Sequence, residues 1–477
     1  MSTAFQKCLR KIRFELYFFF MWTHAWLIRG LKTRHAYMQL KRSEYITREE
    51  MQKIQSERLR HIVKHAYETS SFYRKRLDEL GLSPDSIKSV LDIGKLPFIT
   101  KDDIRENLET GLLSSKIRKK NMLRISTSGS TGQPFTIFAD RNQLEVRFAS
   151  TLRSLEWTGW RFGDAQARLW HQTLGMSRSQ VIREHVDAWF LKRLFIPAFE
   201  ISPKNIEDFV SKIRTHNPVL IDGYAESLNF LAMYLSSGKT AGFSPMAIMS
   251  SAQALPTQTR EIIEMGFDTK VFDKYGSREF SGIAYECSEH VNHHVIDECY
   301  IVELLVEGRP ALPGEVGEIV ITDLFNLATP MIRYRIGDLA TAVDNEMRCP
   351  CGRPHSQIGQ IEGRTQAIVH CSDGTWLPGT FFAHFFKDFE KIIRFFQIEQ
   401  HNKGSFIIKI VKNDSFVQSE LDELILKLRK YVGDTTVKIE FVDEIPLVRT
   451  GKRSPVVSAV KEDFQSFTPT TSSSRIK

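Results

Sequence analysis

Between Arg58 and Leu80 apolar residues recur three and four positions apart (RLRHIVKHAYETSSFYRKRLDEL), the spacing of one buried helical face. Gly81 and Ser83-Pro84 stop that pattern, and a fresh helix start is predicted at Thr100, followed by Lys101, Asp102 and Asp103. From Arg124 to about Asp273 the pattern changes. Short apolar runs (PVLIDG, MAIMSSA, TKVFDKYG) alternate with helical stretches (SPKNIEDFVSKIR, SLNFLAMYLSS, TQTREIIEMG), which predicts a parallel sheet with crossover helices. From Tyr285 to Ala342, strands alternate with turns, as in CYIVELLVEG and GEVGEIVIT, so a β subdomain is expected. Past Gly363 the order strand, helix, strand, strand, helix, strand predicts a small α+β unit with its own core.

The expected class is therefore α/β: a large multi-subdomain N-terminal region with parallel sheets and a β subdomain, plus a small α+β C-terminal domain. The boundaries read as an apolar extension over 1–46, a large domain over 47–363, a small domain over 364–462 and a disordered tail over 463–477.

Leu16 to Ile28 (LYFFFMWTHAWLI) is a second apolar feature, flanked by basic residues on both sides. It falls short of the about 20 apolar residues that span a bilayer, and no small-residue cleavage site follows it. Two readings stay open: a helix packed on the main body, or a peripheral membrane contact through its Trp and Phe side chains.

Composition excludes some classes. With 477 residues, 42% apolar, the chain has ample material for large cores. The net charge of +8 is spread along the chain without basic blocks interleaved with aromatics, so no nucleic-acid partner is expected. Six cysteines in so long a chain imply no disulfide framework, and a cytoplasmic location is the expectation, with membrane association left open. Nothing in the sequence fixes an oligomeric state.

The run Ser126 to Gly132 consists entirely of Ser, Thr and Gly. Such a loop lets backbone N–H groups and hydroxyls converge on phosphate oxygens. It lacks the Gly-Lys-Ser/Thr of a Walker loop.

Further short strings follow in order: DKYGSRE (Asp273 to Glu279), GEIVIT (Gly317 to Thr322), RYRIGD (Arg333 to Asp338), Gly363-Arg364, and Thr450-Gly451-Lys452. Together with the Ser126 run these resemble the motifs of adenylate-forming enzymes. The lead-in LRHIVKHAYETSSFYRKRLDELGL, KLPFITKDDIREN, and CPCGRPH are similar to the phenylacetate-CoA ligase branch and its CapK-like relatives. The resemblance runs from about residue 50 to 460.

It implies ATP-dependent activation of a small-molecule carboxylate through an acyl-adenylate, then transfer to CoA or another acceptor. It also implies that Thr127, Ser128, Gly129, Ser130, Thr131 and Gly132 hold phosphates and that Glu279 binds Mg²⁺. Asp273 and Tyr275 would meet adenine, Asp338 and Arg364 the ribose, and Lys452 the reacting α-phosphate. Gln366 stands where the family's hinge is usually acidic, so CoA is not inherited automatically as the acceptor. The alternatives are an adenylyltransferase that stops at AMP transfer and a non-catalytic nucleotide-binding homologue. A CapK-like relative also implies a possible place in polysaccharide biosynthesis.

Cys287, His293 or His294, Cys349 and Cys351 bracket the β subdomain, and three thiolates with an imidazole suit a structural Zn²⁺. Their spacing is irregular, and buried free thiols are the competing reading. His294 fits the family placement better than His293, and His355 is a spare candidate.

Overall fold

The computed structural model describes residues 3–23, 31–127, 135–170, 178–201, 204–237, 242–253, 255–362, 368–374, 376–389, 391–445 and 455–460. The lead-in is helical: α1 (Thr3–Thr23), α2 (Leu31–Ser43), α3 (Arg48–Thr69), α4 (Ser71–Glu79) and α5 (Lys101–Asn107). The expected start at α5, and that of α3, carry capping chemistry. Thr47 and Glu50 form a reciprocal capping box on α3, and Thr100 and Asp103 do the same on α5, satisfying backbone N–H groups that no helical turn reaches.

A hairpin of β1 (Met122–Thr127) and β2 (Phe135–Asp140) leads into α6 (Arg141–Leu155). The crossover region follows, with β3 (Gln166–Trp170), α7 (Arg178–Phe190), β4 (Arg193–Pro197), α8 (Ile206–His216), β5 (Leu220–Tyr224), α9 (Ala225–Ser236), β6 (Ala247–Ser251), α10 (Thr257–Phe267) and β7 (Val271–Ser277). Next come β8 (Ser281–Glu286), β9 (His293–Val295), β10 (Tyr300–Val306), β11 (Arg309–Pro310), β12 (Val316–Asp323), β13 (Tyr334–Thr341), β14 (Gln357–Ile358) and β15 (Ile361–Glu362).

An eight-stranded sheet runs β14-β9-β8-β7-β6-β5-β3-β4. Its β4-β3-β5-β6-β7 half is parallel, as the alternation of apolar runs and helices predicts, and β8, β9 and β14 extend it antiparallel. The expected β subdomain is a five-stranded antiparallel sheet, β11-β10-β12-β13-β15. On the parallel half, Ala167, Leu169, Ile221, Ile248 and Val271 face α8 to α10, whereas Leu220, Ala247, Met249 and Phe272 belong to the core shared with α6 and the lead-in helices.

At the C-terminal end stand β16 (Ile368–His370), β17 (Trp376–Pro378), α11 (Gly379–Phe385), β18 (Ile393–Asn402), β19 (Ser405–Lys412), α12 (Gln418–Val432), β20 (Thr436–Phe441) and β21 (Val456–Ser458). The last four strands form one sheet, β20-β19-β18-β21. Phe381 lies edge-on to Phe199 at 5.5 Å, so this unit shares a core with the parallel sheet.

The helix at the N-terminus starts well before the apolar run, at Thr3. Tyr17 and Phe18 are buried against Phe162, Phe190 and Tyr37's neighbour Phe14, and Tyr17 Oη donates to Asp187 Oδ1 at 2.9 Å. The packed-helix reading thus holds for that part of the segment. Leu9, Ile12, Leu16 and Phe19 form an exposed row at helical spacing. Among the described residues, no helix is long and apolar enough to cross a membrane.

Candidate nucleotide and metal sites

Successive side chains of a strand point to opposite faces, so β7 presents Asp273 and Tyr275 on one side and Phe272 and Lys274 on the other. The strand turns back into β8 at a point only glycine fits: a Cβ on Gly276 would fall 2.0 Å from the Ser281 carbonyl oxygen. That tight return carries Arg278 and Glu279. Arg147 of α6 clamps it by donating Nη2 to the Arg278 carbonyl and Nη1 to the Glu279 carbonyl, each at 2.9 Å.

Tyr275 reaches from the eight-stranded sheet to the five-stranded one. Its hydroxyl donates to Asp338 Oδ2 at 3.1 Å. Burial, the Asp338 charge and that hydrogen bond hold the phenol well above its ordinary pKa, so it stays a donor. Asp338 follows Gly337, whose φ of +78° bends the strand at that point. Tyr334 lies in the same field: burial first, then the charges of Glu279 and Asp338, push its phenol well above the usual range. Glu279 is 4% exposed. Tyr275, Glu279 and Asp338, expected at a nucleotide site from two separate sequence strings, are therefore brought together at the meeting of two sheets.

Asp273 is fixed from both sides. Its N–H donates to Glu286 Oε2 at 2.9 Å, and its Oδ2 accepts from His293 Nε2 at 3.1 Å. Burial works against protonation of His293, but the hydrogen bond and charge of Asp273 outweigh it and raise its pKa. Asp273 Oδ1 is buried without a hydrogen-bond partner among the described residues, as is Oγ of Ser250, its register partner on β6. An unsatisfied buried acceptor on the Tyr275 face fits an incoming amine donor.

Of the remaining expected residues, Thr127 ends β1 opposite Phe135. Ser128, Gly129, Ser130, Thr131, Gly132, Arg364, Gln366 and Lys452 lie outside the described residues.

The proposed metal ligands converge. One ligand atom from each of Cys287, His294, Cys349 and Cys351 lies within 4.8 Å of the others. Cys287 Sγ is 3.6 Å from Cys349 Sγ, and Cys351 Sγ is 3.4 Å from His294 Nε2. A tetrahedron around Zn²⁺ with thiolate and imidazole ligands has edges of about 3.5–3.8 Å. The donor set and its spacing fit that ion. Strand alternation on β9 divides the two histidines, sending His294 to the thiols and His293 to Asp273. His355 is committed elsewhere, its Nε2 donating to Glu298 Oε2 at 3.1 Å. The Cys351 thiol is held well below its ordinary pKa by the hydrogen bond from Cys287 and by His294, while Cys287 is pushed up in exchange.

Asp273, Tyr275, Glu279 and Asp338 are expected from the sequence strings and His293 only as an alternative metal ligand, whereas neither Arg147 nor Tyr334 is singled out there. Tyr334 had a signal, since it sits inside the RYRIGD string. Arg147 had none, being one of several polar residues on an amphipathic helix.

The CapK C-terminal domain family matches residues 369–459. A phenylacetate-coenzyme A ligase of Thermus thermophilus is 29% identical over 341 residues, covering 68% of this chain and 73% of its own. Protein CapK of Staphylococcus aureus is 24% identical over 441 residues, covering 90% and 93%. By these relatives the chain is similar to the phenylacetate-CoA ligase and CapK-like branch of the adenylate-forming enzymes. A solved 2-hydroxyisobutyryl-CoA ligase, in complex with its acyl-AMP and CoA in the thioesterification state, shares the fold. Its TM-score is 0.60 at 20% identity, with 88% of this chain and 91% of that one covered.

Proposed function

We propose that this protein activates a small-molecule carboxylate with ATP and passes the acyl group to CoA. The observation that carries this reading is the Tyr275 to Asp338 hydrogen bond at 3.1 Å, which joins the proposed adenine and ribose positions beside Glu279. In the first step a carboxylate oxygen attacks the α-phosphorus of ATP and pyrophosphate leaves. In the second the CoA sulfur attacks the acyl carbon, AMP leaves, and the thiol proton passes to solvent.

Neither step requires a covalent enzyme intermediate, so alignment and charge neutralisation supply the catalysis. Tyr275 offers its ring to adenine, and Asp273 Oδ1 is an acceptor for the exocyclic amine. Asp338 accepts from the ribose hydroxyls, and Arg364 donates to them. Glu279 is the carboxylate for the Mg²⁺ that accompanies ATP, and Arg147 fixes the backbone that carries it. Thr127 to Gly132 serve the β and γ phosphates, and Lys452, on the C-terminal unit, serves the α-phosphate.

Cys287, His294, Cys349 and Cys351 would hold a structural Zn²⁺, closed to substrate because all four positions are protein ligands. The exposed row Leu9, Ile12, Leu16 and Phe19 of α1 is the face we assign to a peripheral membrane contact. Removal of residues 1–35 should lower partition onto anionic vesicles, and unchanged partition would withdraw that assignment.

The decisive experiment is carboxylate-dependent exchange of labelled pyrophosphate into ATP across a panel of acids, with Lys452→Ala beside wild type. Exchange with at least one acid, lost in the variant, and CoA-dependent release of AMP are expected. Absence of exchange with every acid, while ATP still binds, would replace this reading with that of a nucleotide-binding homologue without catalysis.

A further inference from the structure

The opposite face of β7 holds a feature that the nucleotide chemistry does not use. Lys274 points away from Tyr275, and in register beside it stand Ser251 of β6 and Tyr224 of β5. This row lies at the carboxyl ends of three parallel strands, the place where open α/β sheets receive ligands. Tyr224, two strands from Lys274, is stacked on Trp170 at 4.4 Å with the ring planes 8° apart, and Phe199 covers it at 5.4 Å.

The charges around Lys274 do not balance. Among the described residues its Nζ has neither a hydrogen bond nor an ion pair, and its nearest aromatic partner is the Tyr285 ring at 5.5 Å. Arg147 of α6, Arg168 of β3 and Asp222 of β5 are the charged groups that act on it. The single carboxylate is already engaged, since Asp222 Oδ2 pairs with Arg168 Nε at 3.1 Å and its Oδ1 accepts from Gln166 Nε2 at 2.7 Å. Burial, with the Arg168 and Arg147 charges and against the pull of Asp222, brings Lys274 down to about 8. An ammonium left unpaired beside two guanidinium groups is costly to the fold. A cluster of that kind in a ligand position marks a binding role.

From this arrangement we infer that the acyl substrate carries a second anionic group, which pairs with Lys274 while its reactive carboxylate faces the nucleotide on the other side of β7. This rests on the carboxylate-activating reading above and narrows its substrate class to acids bearing a further carboxylate or phosphate.

The test uses the full-length protein and three acids of matched chain length: hexanoate, adipate and 6-phosphohexanoate. Exchange kinetics are measured for wild type, Lys274→Met and Lys274→Arg, and the melting temperature of each is recorded with and without each acid. Wild type should favour one of the dianionic acids over hexanoate by about tenfold to a hundredfold in kcat/KM, the range of a charged hydrogen bond. Lys274→Met should erase that preference through KM, and Lys274→Arg should retain most of it. Which of the two dianions leads distinguishes carboxylate from phosphate.

Equal use of hexanoate, or a preference that survives in Lys274→Met, overturns the inference and leaves the carboxylate-activating reading intact. If no acid supports exchange, the melting temperatures decide. Stabilisation of wild type by a dianion, absent in Lys274→Met, keeps the anion site and discards the activity, and no stabilisation discards both. Lys274→Met without ligand should melt no lower than wild type, since it removes an unpaired charge, so a folding defect would be visible.

Discussion

Arg147 and Glu279 are joined through the backbone: the guanidinium Nη1 donates to the Glu279 carbonyl at 2.9 Å across 132 residues of chain. The second nitrogen holds Arg278 in the same way. A lysine offers a point charge where this site uses a planar fork. Arg147→Lys is therefore expected to let the Glu279 turn shift, lowering kcat for pyrophosphate exchange by about a hundredfold with little change in melting temperature. An unaltered kcat would show that the turn keeps its place without the fork.

The hydrogen bond from Tyr275 to Asp338 gives a milder, separable effect. Tyr275→Phe keeps the ring and removes the hydroxyl, so KM for ATP should rise by about tenfold or less, in proportion to one lost hydrogen bond. Tyr275→Ala removes the stacking surface as well and should raise KM further. Titration of exchange against ATP concentration reads both, and equal effects of the two substitutions would contradict the division of labour.

The thiol cluster predicts about one Zn²⁺ per chain in protein purified without chelators. Cys351→Ser should lower the bound metal and the melting temperature together, whereas Cys371→Ser, in the C-terminal unit, should leave the metal content unchanged. Metal analysis alongside thermal unfolding checks this, and well under one zinc per wild-type chain would remove the site.

The Lys274 reading has a pH signature. Burial and the Arg168 and Arg147 charges, opposed by Asp222, place this lysine at about 8, and the Tyr285 ring is the other group against it. Below that value the ammonium is charged and attracts a second anion. Above it the charge is lost. Preference for adipate over hexanoate should thus decline as pH rises through about 8. Lys274→Arg should hold its preference across the same interval, because a guanidinium does not titrate there.

Arg153 and Glu298 form a buried pair at 3.2 Å, 0% and 1% exposed, with Ser43 and His355 on the same carboxylate. Glu298→Gln leaves the Arg153 charge without its counter-ion and should cost about 3–5 kcal/mol of stability. Denaturant unfolding measures this, and a loss below about 1 kcal/mol would mean that the interior admits water to the pair.

Much of the nucleotide side was legible because its residues stand within a few positions of one another in recognisable strings. Asp273, Tyr275 and Glu279 share one strand and its return, and Gly276 between them could not be any other residue without a clash. Lys274 was written in the same string and went unnoticed, since its meaning depends on which strands flank β7 and on the charges of Arg168 and Asp222. Those neighbours arrive from 106 and 52 positions earlier in the chain by numbering, 274 − 168 and 274 − 222. The histidine pair shows the same limit. Their order in sequence does not say which face of β9 meets the thiols. At the N-terminus, the apolar letters of the Leu16 segment were evident, but the burial of Tyr17 depended on Asp187, Phe162 and Phe190 being there to receive it.

Cys287 and Cys349 meet at 3.6 Å although 62 positions separate them, and β10 through β13, with Asp338, lie wholly inside the loop they close. A metal there acts as a clasp on the neck of that loop. The five-stranded sheet can then part from Tyr275 only by bending, whereas with the clasp undone its inner end is held by packing alone. Metal content should therefore be felt first at Asp338, the proposed ribose end of the site, and only afterwards at Asp273, the proposed adenine end.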